Sequence, residues 1–370
     1  MTSAPCRSPD KPPERGIKIT NITQPLAPTL VPARNMNSFP RTPRRLAAIL
    51  AVSLAAMLLA VPSSLGRPAS QPRAHAAASY LTGVGDEQTS MFTNPLWQQL
   101  HTKIVRYIAP WDAAIRGDEL GRARTWIKDA EEHHQQILVA FYHSEHTPTK
   151  MPSISSYQKA VAKFVKDFPH VRQYQSWNEA NRGNVKGAFS SPSAGASARY
   201  YQALKRVCKG CTVIGLDVLD AYTINATLRY IGEFKREITH LHTVMPSIWG
   251  LHNYSDLNRL ESWRTREISK KFGGQVWLTE TGGLVQFKPS FTNVRGSGLK
   301  RASKVLKYMF AVASANKRIK RLYIYNWLGG NSHTRFDAGL MNAKDQPRPG
   351  YVTVCKALHG AKCSVKTASN

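Results

Sequence analysis

Two short segments of the sequence each place a glutamate at the end of an apolar run. Residues 177–181 read WNEAN and residues 277–283 read WLTETGG, so that Glu179 and Glu280 lie 101 residues apart. Two carboxyl groups can divide a bond-breaking reaction between them, because one donates a proton to the leaving group while the other attacks the carbon. The two glutamates are therefore the first candidates for catalytic residues.

Eight apolar runs, many of them rich in β-branched and aromatic residues, predict the strands that must position these glutamates. They cover residues 80–84, 104–108, 137–142, 173–177, 212–216, 248–252, 276–279 and 321–326. Segments of helical period alternate with them near 119–134, 155–167, 194–208, 223–238, 259–271, 298–316 and 350–358. This alternation predicts an α/β protein, a single-domain (β/α)8 TIM barrel, rather than an open doubly wound sheet. The lack of a G-x-G-x-x-G motif after the first run also argues against nucleotide binding.

In a (β/α)8 barrel the functional side chains lie at the carboxyl ends of the strands, where the βα loops form a concave face. The predicted strand ends carry eight candidates: Arg106, His143, Asn178, Glu179, His252, Tyr254, Glu280 and Trp327. Arg106 can instead be a structural partner of Asp112. His143, Glu145 and His146 fit a loop hydrogen-bond network at least as well as a metal site, and we expect neither a metal nor a cofactor.

The Trp-Asn-Glu after the fourth predicted strand and the Thr-Glu of the seventh resemble the signatures of a clan of retaining (β/α)8 glycosidases that includes glycoside hydrolase families 5 and 39. Residues 337–351 resemble the ending of family 39-like barrels. The resemblance covers residues 80–358 in pattern but only these three places in tight motifs, and Ala180 stands where many members have proline. It implies that Glu179 is the acid/base and Glu280 the nucleophile. It also implies that Asn178 binds the sugar 2-hydroxyl and that Trp327 forms the floor of the central subsite.

These implied roles set physical requirements on the two glutamates. The acid must hold its proton before the reaction, so we expect burial and the charge of Glu280 to raise the pKa of Glu179. The nucleophile must be ionised, so we expect donors such as Arg106, His252 or Tyr254 beside Glu280. Double displacement with retention also requires carboxyl groups roughly 5 Å apart, whereas a separation near 9 Å would exclude it.

The N-terminal residues differ in composition from the rest of the chain. Residues 1–45 are rich in Pro, Arg, Thr and Asn and predict a disordered basic extension. Arg44 and Arg45 precede an apolar run over 46–61, and residues 74–76 read AHA, so 46–76 are predicted to be a signal peptide, or a membrane anchor if uncleaved. Met36 is an alternative translation start. We expect residues 77–370 to form an exported domain, secreted or in the cell envelope.

The charge of the chain is strongly positive. The formal net charge is +28, and residues 77–370 retain 41 basic and 21 acidic residues, a net charge of +20. Such a charge can attract anionic wall polymers or acidic polysaccharides, or it can be a solvated surface. Basic loop residues suit a uronic-acid or wall-polymer substrate: Arg182, Lys186, Lys288 and Arg295. No zinc-finger spacing or RNA-binding signature is present, so we expect no specific nucleic-acid partner.

Four of the five cysteines lie in the predicted domain and suggest disulfides. The local pairs Cys208–Cys211 and Cys355–Cys363 are the simplest of three connectivities. The sequence as a whole predicts an exported retaining O-glycosidase that hydrolyses an oligo- or polysaccharide. Two other classes stay open: a catalytically silent carbohydrate-binding barrel of the cell envelope, and a barrel that binds acidic polymers by charge alone.

Overall fold

A computed structural model describes residues 80–221, 223–288, 297–363 and 365. The predicted extension over 1–45 and the predicted signal peptide or anchor over 46–76 lie outside the described residues. Within the described ranges, no helix has both the length and the apolar character that a membrane span requires.

The wall of the domain is a parallel sheet that closes on itself. Its strands are β1 (Leu81–Gly85), β2 (Ile104–Pro110), β3 (Gln136–Tyr142), β4 (Gln173–Gln175), β5 (Thr212–Ile214), β6 (Asp217–Leu219), β7 (Ile248–His252), β8 (Gln275–Thr281) and, after the short β9 (Gln286–Phe287), β10 (Ile319–Tyr325). The sheet order is β5-β4-β3-β2-β1-β10-β8-β7-β6. Because β5 and β6 are consecutive and pair with β4 and β7 respectively, they are two halves of one barrel strand. The (β/α)8 barrel predicted from the sequence is confirmed, with β8 as its seventh strand and β10 as its eighth.

Helices cover the outside of the barrel. They are α1 (Ser90–Thr93), α2 (Pro95–Gln99), α3 (Gly117–Glu132), α4 (Ile154–Asp167), α5 (Ala194–Val207), α6 (Ile224–His240), α7 (Tyr254–Leu257), α8 (Trp263–Phe272), α9 (Ser297–Ala315) and α10 (Pro349–His359). All seven predicted helices are present, and the side chains of Ser153 and Ser193 cap α4 and α5. The short α1, α2 and α7 were not predicted, since four or five residues give no clear period. A two-stranded antiparallel ribbon of β9 with β11 (Phe336–Asp337) was also not predicted.

The barrel interior is apolar at the amino end of the strands and polar at the carboxyl end. The apolar layer consists of Ile104, Leu138, Ile214, Trp277 and Tyr323. Side chains on a strand alternate between faces, so residues two positions further along the same strands also point inward. Two of these are Arg106 and Thr279, both fully or almost fully buried. The change from apolar to polar along each strand therefore positions the candidate site at the carboxyl mouth of the barrel.

Two disulfides join neighbouring parts of the chain. Cys208 and Cys211 are bonded just after α5, and Cys355 and Cys363 are bonded at the end of the domain, with Cα–Cα distances of 5.5 and 5.6 Å. Both local pairs are those that the sequence predicted as the simplest connectivity.

Candidate active site

Glu179 and Glu280 meet at the carboxyl mouth of the barrel. Glu179 follows β4, Glu280 belongs to β8, and their exposed fractions are 4% and 5%. One carboxylate oxygen of each glutamate and one ring nitrogen of His252 all lie within 4.8 Å of one another. The backbone of Glu179 has a φ of +49°, a left-handed conformation that is uncommon for a residue other than glycine. The turn that directs Glu179 into the barrel mouth therefore has a backbone conformation that a non-glycine residue does not favour, and the surrounding structure must stabilise it.

Arg106 on β2 connects the segment that carries Glu179 with the strand that carries Glu280. Its Nη1 atom donates to Oε1 of Glu280 at 2.9 Å, its Nη2 atom donates to the side-chain oxygen of Asn178, and its Nε atom donates to Gln175 at 2.9 Å. The side chain is 1% exposed. Burial disfavours the charged guanidinium, but the charges of Glu280 and Asp217 outweigh it and raise the pKa of Arg106. Arg106 is therefore a fixed cation beside Glu280, as the sequence predicted.

His252 lies between three carboxylates. Its Nδ1 atom is 3.0 Å from Oε1 of Glu179 and 3.5 Å from Oε2 of Glu280, and its Nε2 atom is 3.0 Å from Oδ2 of Asp217. Burial lowers the pKa of the imidazolium, but the charges of Asp217 and Glu280 and the contact with Glu179 outweigh burial and raise this pKa to about 10. With a carboxylate beside each nitrogen, the ring holds both protons.

The same three side chains could surround a metal ion: Glu179, His252 and Glu280. A protonated imidazole has no lone pair to offer a metal, since metal ligation requires the neutral ring. The surroundings of His252 favour an ion-pair network, in which a metal ion would have to displace the imidazole proton, and the expectation of no metal stays a prediction.

Tyr254 supplies a hydroxyl donor to Glu280. Its hydroxyl donates to Oε2 at 3.3 Å, and the side chain is buried at the start of α7. Burial raises the pKa of Glu280, as does the charge of Glu179, while His252 and Arg106 oppose the shift without cancelling it. Glu280 thus accepts from the donors predicted for it, but the pKa of its carboxyl group lies above the ordinary value.

Arg182 is an unpredicted member of the cluster, since its sequence position identified it only as a basic loop residue. Its Nη1 atom donates to Oε2 of Glu179 at 3.0 Å and to the hydroxyl of Tyr142 at 2.9 Å, and its guanidinium carbon lies 4.4 Å from the centre of the Phe189 ring. Burial raises the pKa of Glu179, but the charge of Arg182 and the contact with His252 outweigh it and lower this pKa. The expected raised pKa of Glu179 is therefore wrong, because a guanidinium binds its carboxylate.

A buried polar layer beneath the glutamates was also missed. Asp217 on β6 accepts from the Thr279 hydroxyl at 2.6 Å, and Gln175 on β4 accepts from Arg106. Gly250 on β7 makes room for both, since a Cβ atom there would lie 2.5 Å from Oδ1 of Asp217 and 2.7 Å from Nε2 of Gln175. Polar residues inside otherwise apolar strands, opposite a glycine, are the signal that could have identified this layer.

Glu87, which closely follows β1, adds another carboxyl group at the mouth. The hydroxyl of Tyr325 donates to its Oε2 atom at 3.4 Å. Burial, together with the charges of Asp86 and Glu280, raises the pKa of Glu87 to about 8. Glu87 was not predicted as a site residue, because its loop carries no motif.

Two predicted site residues lie apart from the two glutamates. His143 stacks on Phe189 at 5.5 Å, on the side of the site that Arg182 occupies, and burial lowers its pKa. Trp327 is completely buried and packs edge-on against Tyr351 of α10. A ring that stacks on a sugar needs an open face, so this placement does not support Trp327 as the floor of a subsite. The alternative contact between Arg106 and Asp112 is absent from the contacts of the described residues.

The fold is similar to solved structures of glycoside hydrolases. A GH10 protein from Paenibacillus barcinonensis aligns with a TM-score of 0.55 at 10% identity, over 78% of this chain and 97% of that one. A GH5_18 protein from Streptomyces cattleya, solved with GlcNAc, aligns with a TM-score of 0.53 at 12% identity, over 80% and 83%. Native xylanase 10B from Thermotoga maritima aligns with a TM-score of 0.53 at 15% identity, over 76% and 95%.

No family model matches the sequence, and no curated protein matches it either. At 10–15% identity the similarity to the solved structures shows the barrel fold, and the fold alone does not establish a reaction. The side chains at the carboxyl mouth are therefore what can indicate a function for this chain.

Proposed function

We propose that this protein is a retaining O-glycosidase that hydrolyses an oligo- or polysaccharide by double displacement. Glu179 is the acid/base and Glu280 the nucleophile. The observation that carries the proposal is the approach of the two carboxyl groups, with one oxygen of each inside a 4.8 Å cluster at the ends of two barrel strands. Retaining glycosidases hold their carboxyl groups about 5 Å apart, whereas inverting ones need a wider gap for a water molecule.

In the first step an oxygen of Glu280 attacks the anomeric carbon while the bond from that carbon to the leaving oxygen breaks. Glu179 donates its proton to the leaving oxygen, so the products are a glycosyl ester of Glu280 and an alcohol. Arg106 and Tyr254 hold the attacking carboxylate in place through their contacts at 2.9 and 3.3 Å. Among the described contacts, Arg106 and Tyr254 donate to Glu280 and not to Glu179, which supports the assignment of Glu280 as nucleophile.

In the second step a water molecule gives a proton to Glu179 and its oxygen attacks the same carbon. The ester bond breaks, Glu280 leaves as a carboxylate, and the sugar keeps its original configuration. His252 lies 3.0 Å from Glu179 and 3.5 Å from Glu280, so its charge stabilises whichever of the two is ionised.

Export to the cell envelope or beyond it is part of the proposal. It is supported by the signal-like sequence over 46–76 and by the two disulfides, since structural disulfides persist in oxidising compartments. The proposed partner is a carbohydrate.

The test is hydrolysis of a panel of aryl glycosides and plant, fungal and bacterial polysaccharides by the full chain, beside Glu179→Gln and Glu280→Gln. We expect turnover of at least one substrate and a loss of about 10³-fold or more in both variants. Proton NMR of the first product formed should show the anomeric configuration of the substrate. A first product of opposite configuration would contradict the mechanism, and polysaccharide binding without turnover in all three proteins would favour a silent binding barrel.

Rescue by azide separates the two roles, because azide is a nucleophile that needs no general base. In Glu179→Ala it should attack the glycosyl ester and give a glycosyl azide of retained configuration. In Glu280→Ala it should occupy the vacated space and give the inverted azide. An inverted azide from Glu179→Ala and a retained azide from Glu280→Ala would exchange the roles of the two glutamates.

A further inference from the structure

One buried donor at the candidate site has no acceptor. The Nη2 atom of Arg182 is buried and has no hydrogen-bond partner within the described part of the chain, while Nη1 binds Glu179 and Tyr142. The side chain as a whole is 4% exposed. A buried N–H group of a guanidinium that lacks an acceptor is costly, so we expect a ligand to provide one.

The position of Arg182 indicates which part of a ligand it meets. This step rests on the proposed function, in which Glu179 gives its proton to the leaving oxygen. The leaving sugar must then lie against the carboxyl group of Glu179. Arg182 forms its ion pair with that group, and no ion pair between Arg182 and Glu280 is present among the described residues. The free Nη2 atom therefore borders the leaving sugar rather than the sugar that becomes bonded to Glu280.

The charge of Arg182 needs a partner when Glu179 takes up its proton. Among the described residues, Glu179 is the carboxylate with which Arg182 pairs. Burial favours the neutral forms of two neighbours, since it raises the pKa of the Tyr142 hydroxyl and lowers the pKa of His143, and the charge of Glu280 acts on Arg182 less strongly than that of Glu179. Protonation of Glu179 leaves this buried cation without the anion that contacts it, which is unfavourable. An anion that arrives with the substrate removes this penalty.

The guanidinium group is suited to a carboxylate in particular. Its planar fork of N–H groups matches two carboxylate oxygens, and Phe189 covers one face of the plane at 4.4 Å, which holds the fork in one orientation. The net charge of +20 on residues 77–370 would draw an acidic polymer toward the protein over a longer range.

We propose that Arg182 is a specificity-determining residue that binds a carboxylate on the leaving sugar, so that the substrate is a polysaccharide containing uronic acid. When this carboxylate binds Arg182, the hold of the guanidinium on Glu179 weakens and Glu179 can take up the proton that it must donate. Substrate recognition and the loading of the acid are thereby coupled through one side chain.

The test is calorimetric binding at one fixed ionic strength, with the full chain carrying Glu280→Gln so that no substrate is consumed. The probes are oligosaccharides of glucuronoxylan, polygalacturonate and hyaluronan, each beside its carboxyl-reduced form, which has the same sugars and linkages but a neutral hydroxymethyl group. We expect at least one acidic form to bind about tenfold or more tightly than its reduced form, the value of one charged hydrogen bond.

Three variants assign that preference to Arg182. Arg182→Met should reduce the preference to about twofold or less, and Arg182→Lys should keep part of it because the charge remains. Arg199→Met is the matched control, since Arg199 also pairs with a glutamate, Glu237 at 2.9 Å, but lies on α5 with a side chain 53% exposed. It removes the same charge from the surface and should leave the preference unchanged.

Equal binding of acidic and reduced forms in every pair, or binding of neither, overturns the proposal without any variant. A preference that survives in Arg182→Met also overturns it and assigns the effect to general positive charge. Failure of the two inferences is distinguishable. Hydrolysis of neutral polymers without a preference for acidic ones would support the glycosidase activity and overturn the role of Arg182. Arg182-dependent binding of the acidic forms without hydrolysis of any substrate would support the role of Arg182 in binding and contradict the glycosidase activity.

Discussion

The carboxylate of Asp217 lies 3.0 Å from the Nε2 atom of His252, and both side chains are completely buried. The other oxygen of Asp217 accepts from the Thr279 hydroxyl at 2.6 Å. Burial raises the pKa of Asp217, but the charges of His252 and Arg106 outweigh it and lower this pKa. Asp217 is thus a buried anion whose charge stabilises the imidazolium, the other nitrogen of which contacts Glu179, and it acts on the candidate acid through His252.

Asp217→Asn should lower the pKa of His252 from about 10, because the largest charge that stabilises the imidazolium is removed. His252 would then lose its proton at a lower pH, so the alkaline limb of turnover should move down by about one pH unit or more. Titration of the ring nitrogens by NMR checks the shift directly. Thr279→Val, which removes a hydrogen bond to Asp217 but no charge, should move the limb much less. An unchanged alkaline limb of turnover in Asp217→Asn would contradict an effect of Asp217 on the candidate acid through His252.

Gly250→Ala should destabilise the fold and reduce turnover together. The added Cβ would lie 2.5 Å from Asp217, 2.7 Å from Gln175 and 3.0 Å from Thr279, so the polar layer must shift. Overpacking of this kind costs about 1–3 kcal/mol of unfolding free energy. Denaturant unfolding measures it. The control is Gly121→Ala on the exposed face of α3, where nothing lies within 4 Å and alanine should stabilise the helix. Equal stability of the two variants would contradict the crowding at Gly250.

Tyr254→Phe should lower kcat about tenfold, because the hydroxyl that donates to Glu280 at 3.3 Å is lost while the ring is kept. Steady-state kinetics on the substrate found in the panel measure the change. Tyr230→Phe removes the hydroxyl of a half-buried tyrosine, one that donates to the carbonyl of Pro192 at 2.9 Å and lies outside the candidate site, and should leave kcat near the parent value. A similar loss in both variants would point to general destabilisation.

Glu119→Gln should stabilise the protein more at pH 8 than at pH 5. Glu119 is 1% exposed, neither carboxylate oxygen has a hydrogen-bond partner in the described ranges, and the Nε2 atom of His146 lies 3.6 Å from its Oε1 atom. Burial, followed by the charges of Asp112 and Glu145, raises its pKa from 4.5 to about 8.

The direction of this pH dependence follows from the difference between the pKa values of Glu119 in the folded and the unfolded chain. Below pH 4.5 the Glu119 carboxyl group is protonated in both the folded and the unfolded chain, and its contribution to stability is fully present. Between pH 4.5 and about 8 only the unfolded chain ionises, so stability is lost as the pH rises. Glutamine does not titrate, and the difference in Tm should therefore grow from pH 5 to pH 8. Glu131→Gln, at an exposed position of the same helix, should show no such growth. A pH-independent difference at Glu119 would contradict its raised pKa.

The barrel was predictable because the pattern that specifies it is local. Alternating strand and helix periods imply a closed parallel sheet. The predicted bounds of the strands and of the helices agree with the observed ones to within a few residues. The fifth barrel strand is interrupted at residues 215 and 216, where the sequence predicted one continuous run. The short α1, α2 and α7 escaped prediction because a period cannot be detected over four or five residues.

The shared location of Glu179 and Glu280 at the carboxyl mouth of a barrel could be predicted from the sequence, since strand order and residue position along each strand are enough to place them there. It also indicated Arg106, His252 and Tyr254 as donors. The charges that act on each carboxyl group became apparent only in the folded structure. Asp217 lies 3.0 Å from His252 on another strand, a contact that no spacing along the chain encodes. Arg182 lies 3.0 Å from Glu179, only three residues away, but the loop conformation that brings the two side chains together is specified by no motif.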